Sequence, residues 1–316
     1  MTRAVAFAAA MLSLSATWLP AGAQPQRPVR TVGIIVHGAP ISFEDGLREL
    51  GWVEGKNVRF ERRVHSDERK VSQAAAELVR MRVDVIFAGN AAATRAEVQA
   101  TKTIPIVTVS ADPVSTGVAS SLARPGANVT GLAFTQVTGK RLEILVQALP
   151  ATRRVALLTN PNNPNAAMFR REAEAAAQAT GITLSVFEVS APEQIAEVVG
   201  TVAKARPDGF AVTGDPMFWA AGQAFIEQAA RHRLPAMWDH RQWVEAGGLM
   251  SYGADPSVLY RRAATYADRI LRGAKPAELP VEQPTNFELA INQKIARALG
   301  ITIAPPVLLR ADRIVE

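Results

Sequence analysis

The sequence predicts an α/β protein of two doubly wound, mostly parallel sheets. From residue 29 onward, short apolar runs alternate with longer segments of helical period, the pattern of βαβ units. The runs are apolar throughout rather than at every second residue, so helices are expected on both faces of each sheet. The same order of parts then starts again: Val32 and Asp84 stand 52 positions apart, and Val155 and Asp208 stand 53.

In the first half, strands are expected over 29–36, 83–88 and 106–109, and helices over 43–50, 71–80 and 91–100. The segment Arg124-Pro-Gly-Ala-Asn-Val-Thr-Gly131 is rich in turn formers and precedes a helix over 139–149. In the second half, strands are expected over 155–158, 182–189, 209–212 and 235–238, with helices over 166–180, 193–205 and 219–232. Extended stretches over 249–252 and 280–286 flank a helix over 258–271 that Gly273 stops. Together with the region around Thr135, they make three crossings between two lobes. The lobes are then 29–134 plus 254–282 and 136–251 plus 284–316.

Residues 1–23 read as an address: Met-Thr-Arg, a largely apolar stretch of sixteen residues from Ala4 to Leu19, Pro20, and Ala21-Gly22-Ala23. These are the parts of a cleavable secretory signal, and sixteen residues fall short of the roughly 20 that span a bilayer. Cleavage is expected after Ala23, leaving a periplasmic protein. With no cysteine in 316 residues, the chain has no thiol for a lipid anchor, a disulfide or a Cys-ligated metal. A hydrophobic content of 48% excludes a disordered chain.

The net charge of +6 raises the question of nucleic acid, but the distribution argues against it. The densest basic cluster, Arg59, Arg62, Arg63, Arg69 and Lys70, is interrupted by Glu61, Asp67 and Glu68, as on an ordinary solvated surface. Enzyme signatures are missing too: no Gly-x-Ser-x-Gly elbow, no P-loop, and four histidines without metal-ligand spacing.

In open parallel sheets, ligands bind beyond the carboxyl ends of the strands. The loops expected there are small and polar: His37-Gly-Ala-Pro40, Gly89-Asn-Ala91, Ser110-Ala-Asp112-Pro113, Asn160-Pro-Asn-Asn163, Gly214-Asp-Pro-Met-Phe-Trp219 and Trp238-Asp-His-Arg241. Gly89, Asn90, Ala91 and Thr94 head a helix whose N-terminus suits a ligand carboxylate. Asp215 suits an ammonium, and Phe218, Trp219 or Trp238 can stack on an apolar or aromatic group. His37 offers a neutral hydrogen bond, Ser110, Asp112, Asn160 and Asn163 complete the loops, and Thr135 and Tyr252 lie on crossings. For Asn90 and Asp215, helix capping is an alternative compatible with binding. The position of Trp219 inside a helix favours a core role.

Several stretches carry a resemblance. Phe43-Glu-Asp-Gly-Leu-Arg-Glu-Leu-Gly-Trp-Val-Glu-Gly-Lys-Asn57, Ser121-Leu-Ala-Arg-Pro-Gly-Ala-Asn-Val-Thr-Gly131, Gly247-Gly-Leu-Met-Ser-Tyr-Gly253 and Gly273-Ala-Lys-Pro-Ala-Glu-Leu-Pro-Val-Glu-Gln-Pro-Thr-Asn-Phe-Glu-Leu289 are among them. The chain resembles the extracytoplasmic substrate-binding proteins of ABC transporters related to the tryptophan/tyrosine-uptake type, from about residue 30 onward. The resemblance implies a type I periplasmic-binding-protein fold, with two Rossmann-like lobes joined by three hinge crossings and a ligand closed between them. It implies a carboxylate at residues 89–94 and an amine at Asp215. It also implies no catalysis, no cofactor and no metal, and a monomer delivering its solute to an inner-membrane permease whose ATPase is a separate chain. A ligand-sensing partner of a membrane signalling receptor is the alternative. Better-known members tend to carry Thr-Pro at Asn90-Ala91 and Ser-Glu at Trp238-Asp239, departures that bear on ligand identity.

Overall fold

The computed structural model describes residues 28–37, 41–65, 68–111, 113–114, 117–134 and 137–316. The expected export signal, Asp112 and Thr135 lie outside the described residues. The first part of the chain runs β1 (Arg30–Val36), α1 (Ile41–Glu49), β2 (Val58–Val64), α2 (Glu68–Met81), β3 (Val85–Ala88), α3 (Ala91–Ala100), β4 (Ile106–Ala111) and β5 (Val129–Phe134). Its strands form one parallel sheet in the order β2-β1-β3-β4-β5. Val32, Ile34, Ile35 and Val36 of β1 are all buried, as strands covered on both faces require.

Two strands had no apolar run to announce them. In β2, Val58 and Phe60 point inward between charged residues, the alternation of an edge strand exposed on one side. This is where the basic cluster falls. Arg62 is held between Glu44 (2.6 Å) and Glu54 (2.8 Å), and Arg63 pairs with Glu77 at 3.0 Å. The other edge strand, β5, begins inside the turn-rich segment, and Asn128 fixes its start by donating to the Ile104 carbonyl at 2.7 Å.

The chain continues through α4 (Thr138–Ala148), β6 (Arg154–Thr159), α5 (Ala166–Thr180), β7 (Thr183–Glu188), α6 (Ile195–Lys204), β8 (Gly209–Val212), α7 (Pro216–Arg231), β9 (Ala236–Trp238), α8 (Arg241–Glu245) and β10 (Met250–Gly253). It ends with α9 (Pro256–Leu271), β11 (Glu288–Asn292), α10 (Gln293–Leu299), α11 (Pro305–Leu308) and β12 (Arg313–Val315). The second sheet has the order β12-β11-β10-β9-β8-β6-β7; β11 pairs antiparallel with β10 and parallel with β12, so these last two strands run against the other five. Its first five strands in the chain therefore repeat the arrangement of the first sheet. In both sheets the order reverses beside the first strand, between β1 and β3 and between β6 and β8. Doubly wound sheets open a ligand crevice at such points.

The chain passes between the sheets three times: after β5, after β10, and between Glu282 and β11. The residues of α9 return to the first sheet, where Leu259, Ala263, Tyr266 and Ile270 join a core with Phe43, Leu47 and Phe87. Asp255 caps this helix, accepting from the Ser257 N–H at 2.8 Å, and Pro256 occupies its first turn. Glu282 bridges back to the edge of β5: its N–H donates to the Gly131 carbonyl and its carbonyl accepts from Ala133. Among the described residues, no helix is long and apolar enough to cross a membrane.

Candidate functional site

On the first sheet, the loop after β3 leads directly into α3. Asn90 has extended backbone angles and its side chain accepts from the Ala93 N–H at 2.9 Å, so it is the helix cap. A cap satisfies one first-turn N–H and leaves its neighbours, those of Ala91 and Ala92, without helical partners. Thr94 lies beneath this loop, donating to the Asn90 carbonyl at 2.8 Å and meeting the Thr108 hydroxyl at 2.5 Å. Tyr260, on α9, donates to the Gly89 carbonyl at 2.8 Å. Burial pushes the Tyr260 phenol above its ordinary pKa, which keeps it a donor.

On the second sheet, Asp215 caps α7 through the Met217 N–H at 2.8 Å. It also accepts from Asn163 at 2.6 Å and from Asn160 at 3.2 Å to both oxygens, and its side chain faces the space between the sheets. Burial raises its pKa, while the amide and backbone donors pull the other way. Asp215 is thus both a cap and a cleft acid, as the compatible readings allowed.

The geometry of α7 decides which aromatic ring reaches the cleft. Gly222 lies inside it at φ 48° and ψ −125°, a left-handed conformation open to glycine, and breaks the helix there. Beyond the break, Phe225, Ile226 and Ala229 pack into the core. Before it, Trp219 turns to the cleft and donates from Nε1 to Asp239 at 3.2 Å, while Trp243 donates to the other Asp239 oxygen at 2.6 Å. Trp219 therefore serves both roles, packing against the second lobe's core as expected and also lining the cleft. Phe218, one position earlier, is 1% exposed and packs against Phe225, and it does not line the cleft. Trp238 is likewise buried, stacked on Trp243 at 4.6 Å, because strand alternation aims it at the helix layer. Tyr252 stacks on Phe287 and contributes only its carbonyl near the site.

The two lobes meet where the His37 ring stands edge-on to Trp219, centroids 5.5 Å apart. Behind this contact lies a cavity of about 100 Å³. His37, Gly89, Asn90, Ala91, Ser110 and Tyr260 line it from the first lobe, and Arg141, Asn163, Asp215, Trp219 and Asp239 from the second. A wider cleft of about 710 Å³ continues outward past Asn90, Asn160, Asn162 and residues 190–193. The sequence loops therefore converge, and of the three aromatic rings offered for stacking only Trp219 lines the cavity, but Arg141, Asp239 and Tyr260 were not among the expected binding residues. Of these, only Asp239 lies on a loop already placed at the strand ends.

Burial lowers the pKa of both His37 and His240, which touches Trp219 at 3.7 Å, to about 4, although Asp239 works in the other direction on each. Arg141 and Asp255 also act on His240. A histidine that protonates less readily when buried than at its ordinary 6.5 destabilises the folded form as pH falls through the interval between those values. The thermal midpoint should accordingly drop between pH 6.5 and 4, and His240→Asn should flatten that drop; parallel curves for the two proteins would exclude it.

These features match a known group over most of the chain, since the model of the ABC transporter substrate binding protein family covers residues 36–315. The chain belongs to that family. This substrate-binding protein is similar to a conserved domain protein of Vibrio cholerae, with 27% identity and a TM-score of 0.85 over 90% of this chain and 99% of the other. It is similar to an ABC domain of Streptococcus pneumonia solved with L-Trp, at 25% identity and a TM-score of 0.84 over 91% and 100%. A tyrosine-binding protein of Clostridioides difficile is 23% identical over 261 residues, 82% of this chain and 75% of that one. Such structural likeness over both lobes identifies the substrate-binding protein as a type I periplasmic-binding-protein fold.

Proposed function

We propose that this substrate-binding protein captures an amino acid between its lobes for an ABC importer, without catalysing a reaction. One observation carries the reading: the first turn of α3 and the carboxylate of Asp215 face the same cavity from opposite lobes. The first suits a carboxylate and the second an ammonium, so only a closed protein engages both ends of an amino acid. The inner cavity takes the charged end, and the side chain runs past Trp219 toward the wider cleft, where an aromatic group fits. The aromatic ligands named for the pneumococcal and clostridial proteins support this choice. Export by the segment 1–23, life in the periplasm as a monomer, and delivery to a permease with a separate ATPase chain complete the proposal.

A thermal-shift screen of amino acids tests it. A ligand at 100 times its Kd should stabilise the protein by about 2.7 kcal/mol. Asp215→Asn keeps an oxygen to cap α7 but removes the charge, and should weaken amino-acid binding by about 1.5–3 kcal/mol. Its midpoint without ligand should move little. Unchanged affinity in titration calorimetry would refute the role of Asp215, and conversion of the bound molecule would refute the receptor reading.

A further inference from the structure

The cavity wall holds a cation that the sequence did not bring to the site. Arg141 sits in the first turns of α4 and is 4% exposed. Its Nε donates to the Tyr252 carbonyl at 2.8 Å and its Nη2 to the Asp239 carbonyl at 3.4 Å, which fixes the guanidinium plane against two strand ends. The remaining nitrogen, Nη1, is buried and has no hydrogen-bond partner. Among the described residues, Arg141 forms no ion pair. The two nearby carboxylates are engaged elsewhere: that of Asp239 by the indoles of Trp219 and Trp243, and that of Glu172 by the Thr138 N–H at 3.1 Å.

A guanidinium stays charged in a protein, and a buried unpaired donor on it is costly, so the folded chain bears a standing electrostatic deficit at this wall. A planar oxyanion meets that deficit with bidentate geometry. We infer that Arg141 receives a carboxylate of the ligand from the second lobe. The inference rests on the receptor reading and deepens it by naming an anchor opposite α3. The carboxylate is either the α-carboxylate itself, clamped from both lobes, or a second acidic group on the ligand's side chain.

Titration calorimetry with L-tyrosine, L-glutamate, succinate and acetate, alongside L-tyrosinamide and succinamide, separates these cases on the parent, Arg141→Gln and Arg141→Lys. Arg141→Gln should weaken carboxylate binding at least 30-fold and leave the weak binding of the amides unchanged, with Arg141→Lys in between. L-Tyrosine above succinate identifies the α-carboxylate as the occupant; L-glutamate or succinate above L-tyrosine identifies a second acid. Equal loss for acids and amides, or no loss, overturns the inference and leaves the receptor reading standing. If amino acids fail while succinate or acetate binds in an Arg141-dependent way, the inference holds and the amino-acid reading falls. If no probe binds the parent protein, both fall. Arg141→Lys carries the same acid-against-amide comparison should Arg141→Gln fail to fold.

Discussion

Glu97→Gln is expected to make the protein more stable than the parent at pH 9 by on the order of 4 kcal/mol, and nearly as stable at pH 4.5. Glu97 lies on α3, is 0% exposed, and neither carboxyl oxygen has a hydrogen-bond partner. Burial pushes its pKa from 4.5 to about 8. A carboxyl that holds its proton more tightly folded than unfolded stabilises the fold at low pH, and that stability is lost as pH rises from 4.5 to 8. The amide does not titrate, so the variant should keep what the parent loses. Urea unfolding at pH 4.5, 7 and 9 measures this directly; a gap between the two proteins that is constant with pH would show that Glu97 is ionised in the fold. Because α3 also supplies the cleft N-terminus, the loop proposed to receive the ligand should loosen in the parent at alkaline pH.

The second large effect is Gly253→Ala, which should cost about 3 kcal/mol or more and lower the thermal midpoint by roughly 6–12 °C. A Cβ at Gly253 would stand 1.8 Å from the Asp239 carbonyl oxygen, a distance no packing tolerates, and the obstacle is backbone rather than a side chain that can turn away. The same carbonyl accepts from Arg141. The residue ends β10 at a passage between the lobes, so the variant should also lose ligand affinity through displaced Arg141. A midpoint within two degrees of the parent would show that the strand ends can separate freely.

Much of the architecture was legible because apolar periodicity and chain breakers coincide. The helix expected over 166–180 is α5, ended by Gly181 in the left-handed conformation at φ 71°, and the buried run over 209–212 is β8. Edge strands were less visible, since β2 is half charged and β5 starts among turn formers. The short C-terminal elements α10, α11, β11 and β12 were not expected, because pieces of three to seven residues carry little period and owe their form to the sheet they join. At the cleft, the order of loops at strand ends could be read, but the direction of side chains could not. Phe218 and Trp219 are adjacent and both aromatic, and only helix rotation and the break at Gly222 select the second. Arg141 arrives from a helix that no loop motif points to.

The interleaving of the two lobes also sets how the protein must fold. Trp52 of the first lobe donates to Asp268 of α9, 216 positions later, and Arg272 reaches back to the Leu50 carbonyl over 222. A nascent chain ending before Pro256 would leave the apolar side of α1 and the first sheet without its cover. Neither lobe can then complete on its own, and loop closure over such separations is slow. Folding intermediates should expose the first sheet longest, which makes that surface the natural target for a chaperone and the point of greatest aggregation risk.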